Sequence, residues 1–333
     1  MAMSARSTFH LMVAAIAALL MPVAVPAKEL QVLRTEGGTI TFNVALEQGL
    51  FEKYGIQIEN VDSGTGAAMI ESFARGEIDV IDGGLDNGIA ASLNGIDTLI
   101  VTGSSLAEQE LIAQPGIKSV QDLRGRIIVV DSTNMQAALV LKKMLLLHGL
   151  SPRDYQLKVV GAKRLAAMRA NKDYAAAMLA GTQAAVAKQE GFVSLGKSLD
   201  AIGPVTYHGA FVRRSWAREN SDLLSRYIAA EVEAQRWILA PANKQKMVEI
   251  ILKSSVSGTT VSMAEDTYQE MVSGPGALTK DIELHVPALQ NFLRLRAQVE
   301  ASWGGSPPPA ESLYDLSYYN QALALVSKGS SVE

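Results

Sequence analysis

The sequence predicts two doubly wound α/β lobes, each a mostly parallel sheet with helices on both faces, followed by a helical C-terminal extension. Three observations carry this. From Glu29 to about Pro204, short β-branched runs alternate with helical stretches that end in glycine, the rhythm of strand–helix–strand units. That rhythm runs once to Thr102 and restarts near Ser119, so it builds two sheets rather than one. After Arg213 no strand pattern recurs, and about 120 residues of helical pattern cannot extend a parallel sheet. They are expected to pack on a lobe already built.

In the first run, Leu30 to Arg34 alternates as a strand. A helix over about 40–54 follows, with Val44, Ala45, Leu46, Leu50 and Phe51 on one side and Gly55 as its left-handed stop. Ile56 to Val61 is the next strand, and Ser63-Gly64-Thr65-Gly66 leads into a helix closed by Gly76. Ile78 to Ile81 is a strand, Gly83 to Gly88 a loop before a helix ending at Gly95, and Leu99 to Thr102 a fourth strand.

In the second run, Ser119 caps a short helix through Leu123, and Ile127 to Val130 is a buried strand. Asp131 to Asn134 opens a helix over about 135–148 that Gly149 terminates. The strand Leu157 to Val160, a helix from about 163, the strand Ala175 to Leu179 and a helix from Thr182 complete the run. Val205 to Arg213 is the last strand. Ser215 is read as a helix cap, Asp222 to Leu239 as an amphipathic helix, and Ser262-Met263-Ala264-Glu265 as a capping box. Residues 287–300 and 311–327 read as two more helices.

Composition narrows the function. Arg6, the apolar run Leu11 to Met21 and the small residues before Lys28 form an export signal over residues 1–27, cut after Ala27. The run is too short to span a bilayer, which takes about 20 residues. There is no cysteine, which excludes disulfides, thiol catalysis and a lipid-bearing cysteine tether. Residues 28–333 amount to about two domains at roughly 150 residues each. A formal net charge of −4 and 6% aromatic content give no basic stripe or stacking platform for nucleic acid.

Chemistry is expected in the loops that leave strands and enter helices, because ligands bind outside the carboxyl ends of strands in open α/β sheets. Helix N-termini there offer free N–H groups and a positive dipole end. Asp62 to Gly66, Gly83 to Gly88 and Asp131 to Asn134 fit best. Gly64-Thr65-Gly66-Ala67-Ala68-Met69 lacks the third glycine of a dinucleotide loop, and no phosphate-binding GxxxxGK[ST] motif occurs. The histidines have no metal-ligand spacing; His148 ends a helix, and His208 is placed to line a cleft. Arg213-Arg214 and Lys142-Lys143 are read as solvated faces.

Gly49-Leu50-Phe51-Glu52-Lys53-Tyr54-Gly55-Ile56 resembles the "G-L-F-E-K-x-G-L" segment of nitrate/sulfonate/taurine-type periplasmic binding proteins, the solute-binding components of ABC importers. Ala74-Arg75-Gly76-Glu77-Ile78-Asp79-Val80 resembles that family's "A-x-G-E-I-D", and Ile117 to Gly125 its "I-x-S-x-x-D-L-K-G". Phe211 to Asn220 is similar to the element returning the chain to the first lobe, so the likeness covers most of 30–240.

The resemblance implies two lobes joined by a two-segment hinge that closes on a small ligand. Lobe one would be 28–112 with 208–333, the helical extension packed on it, and lobe two 113–207. The ligand would be a small organic anion or zwitterion, held by Gly38, Thr39, Ser63, Gly64, Asp86, Asn87, Ser132, Thr133, Asn134, Lys163, Thr182 and His208. Asp86 has two readings: unpaired in the cleft it favours an amine- or hydroxyl-bearing ligand over nitrate, and as a helix cap it says nothing of the ligand. The cap is the expectation. The resemblance further implies a periplasmic, unanchored monomer with an inner-membrane ABC permease as partner, no cofactor, no metal and no catalysis. A periplasmic sensor feeding a membrane receptor would share these features. The thiamine-pyrimidine synthases share the fold but rely on a cysteine-rich segment that this sequence lacks.

Overall fold

The computed structural model describes residues 30–274 and 276–329. The export signal and its cut after Ala27 lie outside the described residues. The first run forms β1 (Gln31–Gly37), α1 (Ile40–Glu47), α2 (Leu50–Lys53), β2 (Ile56–Asn60), α3 (Gly66–Arg75), β3 (Val80–Gly84), α4 (Leu85–Leu93) and β4 (Thr98–Ile100). The second forms β5 (Glu110–Ala113), β6 (Ile127–Val130), α5 (Gln136–Leu147), β7 (Gln156–Val159), α6 (Arg164–Ala170), β8 (Tyr174–Leu179), α7 (Gly181–Gln189), β9 (Val193–Lys197) and α8 (Ser198–Ile202). After β10 (His208–Arg213) come α9 (Arg214–Glu219), α10 (Ser221–Leu239), α11 (Lys244–Ser254), α12 (Val261–Ser273), α13 (Val286–Glu300) and α14 (Ser317–Gly329).

Two five-stranded sheets result, with orders β2-β1-β3-β10-β4 and β7-β6-β8-β5-β9. The two orders are equivalent. In each sheet four strands share one direction, and the strand next to the edge runs against them: β10 in the first sheet, β5 in the second. Those two strands belong to the segments by which the chain crosses between sheets. The crossing segments pair side by side, with Ala107 donating to Val205 O, Tyr207 to Ser105 O, and Ser104 to His208 O.

Most elements form where the pattern places them. Thr65 caps α3 by accepting from Ala68 N, and Gly76 closes it at φ 80°. Ser119 completes a capping box with Asp122, and His148 is the C-terminal cap of α5.

Several expectations are corrected. The helix over 40–54 is two helices, broken at Gly49, whose φ of 64° cannot continue a helix. Strands β5 and β9 and helices α8 and α11 were not foreseen; β5 crosses the expected lobe boundary at 112/113 because its carbonyls and amides pair with β8 and β9. Gly83 and Gly84 end a strand rather than forming a loop, and α4 starts at once. Ser215 lies inside α9, which Arg213 precedes. The cap of α12 is Thr260, which accepts from Met263 N, so Ser262 is already helical. Of residues 311–327 only those from Ser317 join the last helix.

The C-terminal helices do not pack on the first sheet alone. Tyr227, Ile228 and Val232 of α10 share a core with Phe42, Phe51, Tyr319 and Ala322, covering the first sheet's outer face. By contrast α13 inserts Leu289, Phe292 and Leu293 into a core that runs from Phe73 and Ile81 to Leu141 and Met144 of α5. Lys142 reaches Glu300 at 2.5 Å and Lys143 reaches Gln298 at 3.0 Å, so these lysines fasten α5 to α13 rather than forming a solvated face. Arg213 is likewise half-buried: its Nη1 donates to Phe73 O and Ile78 O at 2.6 and 2.5 Å.

Candidate functional site

The carboxyl ends of β3, β6 and β10's neighbouring crossing segment converge between the two sheets. They enclose a cavity of about 300 Å³. From the first sheet's side come Gly84, Asp86 and Asn87 at the start of α4; from the second come Asp131, Ser132, Gln136 and Arg164. Tyr207 and His208, their rings stacked 3.8 Å apart, separate it from a second cavity of about 390 Å³ that Thr182 lines.

Asp86 decides the electrostatics. It is buried, and its carboxylate accepts from Gln136 N, at the N-terminus of α5, at 2.8 Å. Asp86 therefore does not cap its own helix, whose N-cap is Gly84, but meets the first amide of a helix in the opposite sheet. Capping in trans places its charge where the dipole and free N–H groups of α5 favour an anion. Burial pushes its pKa up, against the pull of the Gln136 amide and the Arg296 guanidinium. Arg296, buried on α13, donates to Asn134 O at 3.0 Å, so it too links the two sides.

Arg164 opens α6 and its Nη1 forms an ion pair with Asp131 at 2.9 Å, while among the described residues neither its Nε nor its Nη1 has a hydrogen-bond partner. Gln136 donates Nε2 to Thr206 O at 2.6 Å, which leaves its Oε1 buried and unpartnered. The Oε1 of Gln109, on the first crossing segment, is unpartnered as well. Burial lowers the His208 imidazole to about 4, so it is neutral at physiological pH, with Nδ1 3.4 Å from Ser105 Oγ.

Of the twelve residues expected from the sequence, Asp86, Asn87, Ser132 and His208 line this cavity, and Thr182 with His208 lines the second. The others are elsewhere. Gly38 is exposed at the start of α1, with its amide on Asp82 O. Thr39 is buried, capping Phe42 N and donating to Asp82 Oδ1, so its hydroxyl is already engaged. Ser63 donates to Glu36 at 2.6 Å, and Gly64 is an exposed turn residue. Thr133 and Asn134 are exposed beyond the cavity rim. Lys163 points to solvent and its neighbour Arg164 faces inward, because one step along a helix turns the side chain by about 100°. Gln109, Asp131, Gln136, Arg164 and Tyr207 were missed as site residues. Asp131, Arg164 and Tyr207 had a signal, each one position from an expected residue.

Among the described residues no grouping of three or more His, Asp or Glu side chains is placed to hold a metal ion. No described helix is long and apolar enough to cross a membrane.

Two sheets of equivalent strand order, joined by paired crossing segments around a polar cavity, define a two-lobe binding-protein fold. Residues 39–252 match the NMT1-like family, and the chain belongs to it. A protein of Brucella abortus (strain 2308) described as a binding protein is 27% identical over 223 residues, 65% of this chain and 67% of the relative. Among solved structures, a protein from Bordetella bronchiseptica RB50 aligns with a TM-score of 0.73 at 18% identity, over 90% of this chain and 99% of that one. The periplasmic sulfonate-binding protein SsuA of Methylobacillus flagellatus KT aligns with a TM-score of 0.69 at 18% identity, over 90% and 96%. At such identities these structures establish the shared fold.

Proposed function

We propose that this protein is the solute-binding component of an ABC importer, capturing a small molecule in the cavity between its sheets. The observation that carries this is the cavity wall itself: Asp86 and Asn87 reach it from one sheet, Asp131, Ser132, Gln136 and Arg164 from the other. Such a wall is complete only when the sheets approach, which is how hinge closure captures a ligand. The relatives described as binding and sulfonate-binding proteins support the same reading. In this reading the export signal is removed after Ala27 and the protein acts as a periplasmic monomer, handing its ligand to an inner-membrane permease. The lobes divide near Ser105 and Thr206, where the crossing segments pair. Arg164 holds the ligand's acidic group, and Asn87, Ser132 and His208 complete the wall.

The test is calorimetry and thermal unfolding of residues 28–333 with sulfonates, nitrate, aromatic acids and amino acids. A ligand present at about 100 times its Kd stabilises the fold by about 2.7 kcal/mol, visible as a shift of several degrees. Arg164→Gln is expected to abolish that shift while leaving the unliganded Tm within a few degrees. A panel with no binder at millimolar concentration would overturn the reading.

A further inference from the structure

The cavity has unpartnered acceptors as well as unpartnered donors on its lining residues, and it carries no net charge to hold a bare anion. The charges around it balance: Asp131 faces Arg164 at 2.9 Å, and Asp86 is offset by Arg296 and by the α5 amide. His208 is neutral. The anion-favouring N-terminus of α5 is thus already taken by a side chain of the protein. A monoanion would enter as an uncompensated charge, which costs several kcal/mol in a largely buried site.

The hydrogen-bonding inventory points the same way. Lining the cavity are Asp86 and Asp131 and, with buried amide oxygens that lack a partner among the described residues, Gln109 and Gln136, against the Arg164 guanidinium, whose Nε and Nη1 also lack a hydrogen-bond partner. Gln109 and Gln136 are each only 3% exposed. A buried acceptor left unpartnered costs about 1–3 kcal/mol, so two of them on one cavity wall mark the place of donor groups. Nitrate and alkanesulfonates offer acceptors only. They satisfy Arg164 and leave the amide oxygens unmet.

We infer that the ligand is a zwitterion, with a protonated amine among Gln109, Gln136 and Asp131 and an acidic group on the Nε side of Arg164. This rests on the solute-binding reading and names the ligand class within it. The zwitterion adds no net charge, supplies N–H donors to the amide oxygens and forms a second, antiparallel ion pair against Asp131–Arg164. A site that hydrogen-bonds a ligand's N–H group rejects the analogue lacking it far more strongly than a hydrophobic site rejects a missing methylene.

Matched pairs differing only in the amino group test this by calorimetry on the unaltered protein: taurine against ethanesulfonate, β-alanine against propionate, and α-amino acids against their desamino acids. The expected result is binding by the amino member of at least one pair and at least about hundredfold weaker binding by its partner. Gln109→Leu should narrow that ratio while Gln269→Leu, exposed on α12 and outside this cavity, leaves it unchanged. Equal or tighter binding by a desamino member overturns the inference and leaves the solute-binding reading standing. So does a wider panel in which only nitrate or simple sulfonates bind. A panel with no binder of any kind overturns the solute-binding reading itself.

Discussion

Glu231→Gln exposes a proton stored beneath the cleft. Glu231 on α10 and Asp82 on β3 are both buried, and among the described residues Glu231 Oε1 and the Tyr227 hydroxyl have no hydrogen-bond partner. Burial raises both carboxyl groups: Glu231 well above the carboxylate range, with Asp82 adding to the shift, and Asp82 to about 7 despite its Thr39 bonds. In the unfolded chain each titrates near 4. Between pH 5 and 6.5 the folded protein therefore keeps two protons that the unfolded chain has released. Their contribution is fully present below the unfolded values and is lost as pH rises through the folded ones. Each retained proton is worth about 1.4 kcal/mol per pH unit.

His208 acts in the opposite sense. Its folded value of about 4 lies below the ordinary imidazole value, so its contribution is lost as pH falls. Asp86, raised by burial, adds the same sign to both proteins and cancels in the comparison. Over 1.5 pH units, removing one retained proton changes the stability difference between wild type and Glu231→Gln by about 2 kcal/mol. The variant gains on the wild type as pH rises. Urea unfolding followed by tryptophan fluorescence at pH 5.0 and 6.5 measures it. Parallel pH profiles for the two proteins would refute the buried proton.

Two further pairs of substitutions test the crossing and the corrected cap. A Cβ on Gly209 would sit 2.3 Å from Thr102 O and 2.9 Å from Gly103 Cα, backbone that cannot move aside, so Gly209→Ala should cost about 3 kcal/mol or more in thermal unfolding. A Cβ on Gly38 meets nothing within 4 Å, and Gly38→Ala should stay within about 0.5 kcal/mol of wild type. Thr260→Ala should cost about 1 kcal/mol and Ser262→Ala almost nothing, reversing the order that the sequence motif suggests.

The site was half legible before the fold. Asp86, Asn87 and Ser132 stand at strand ends, where the composition of the loops already marks them. Thr39 and Ser63 carry the same local marks, yet Asp82 and Glu36 engage their hydroxyls. A hydroxyl at a helix start looks alike in both cases. The difference lies in a carboxylate tens of residues away, which no local window contains.

By itself the sequence determined the two runs of strand and helix, the order of nearly every element and the helical tail, because these depend on periodicity and on caps within a few residues. The missing cysteine also excludes disulfides and thiol catalysis. Only the tertiary structure decided which strands pair, that β5 and β10 run against their sheets, and that α13 straddles both lobes. It alone put Asp86 on the N-terminus of α5 and turned Arg164 inward in place of Lys163. Those outcomes depend on contacts between residues distant in the chain and on helix rotation relative to a cavity. The charge balance of the cleft follows from them.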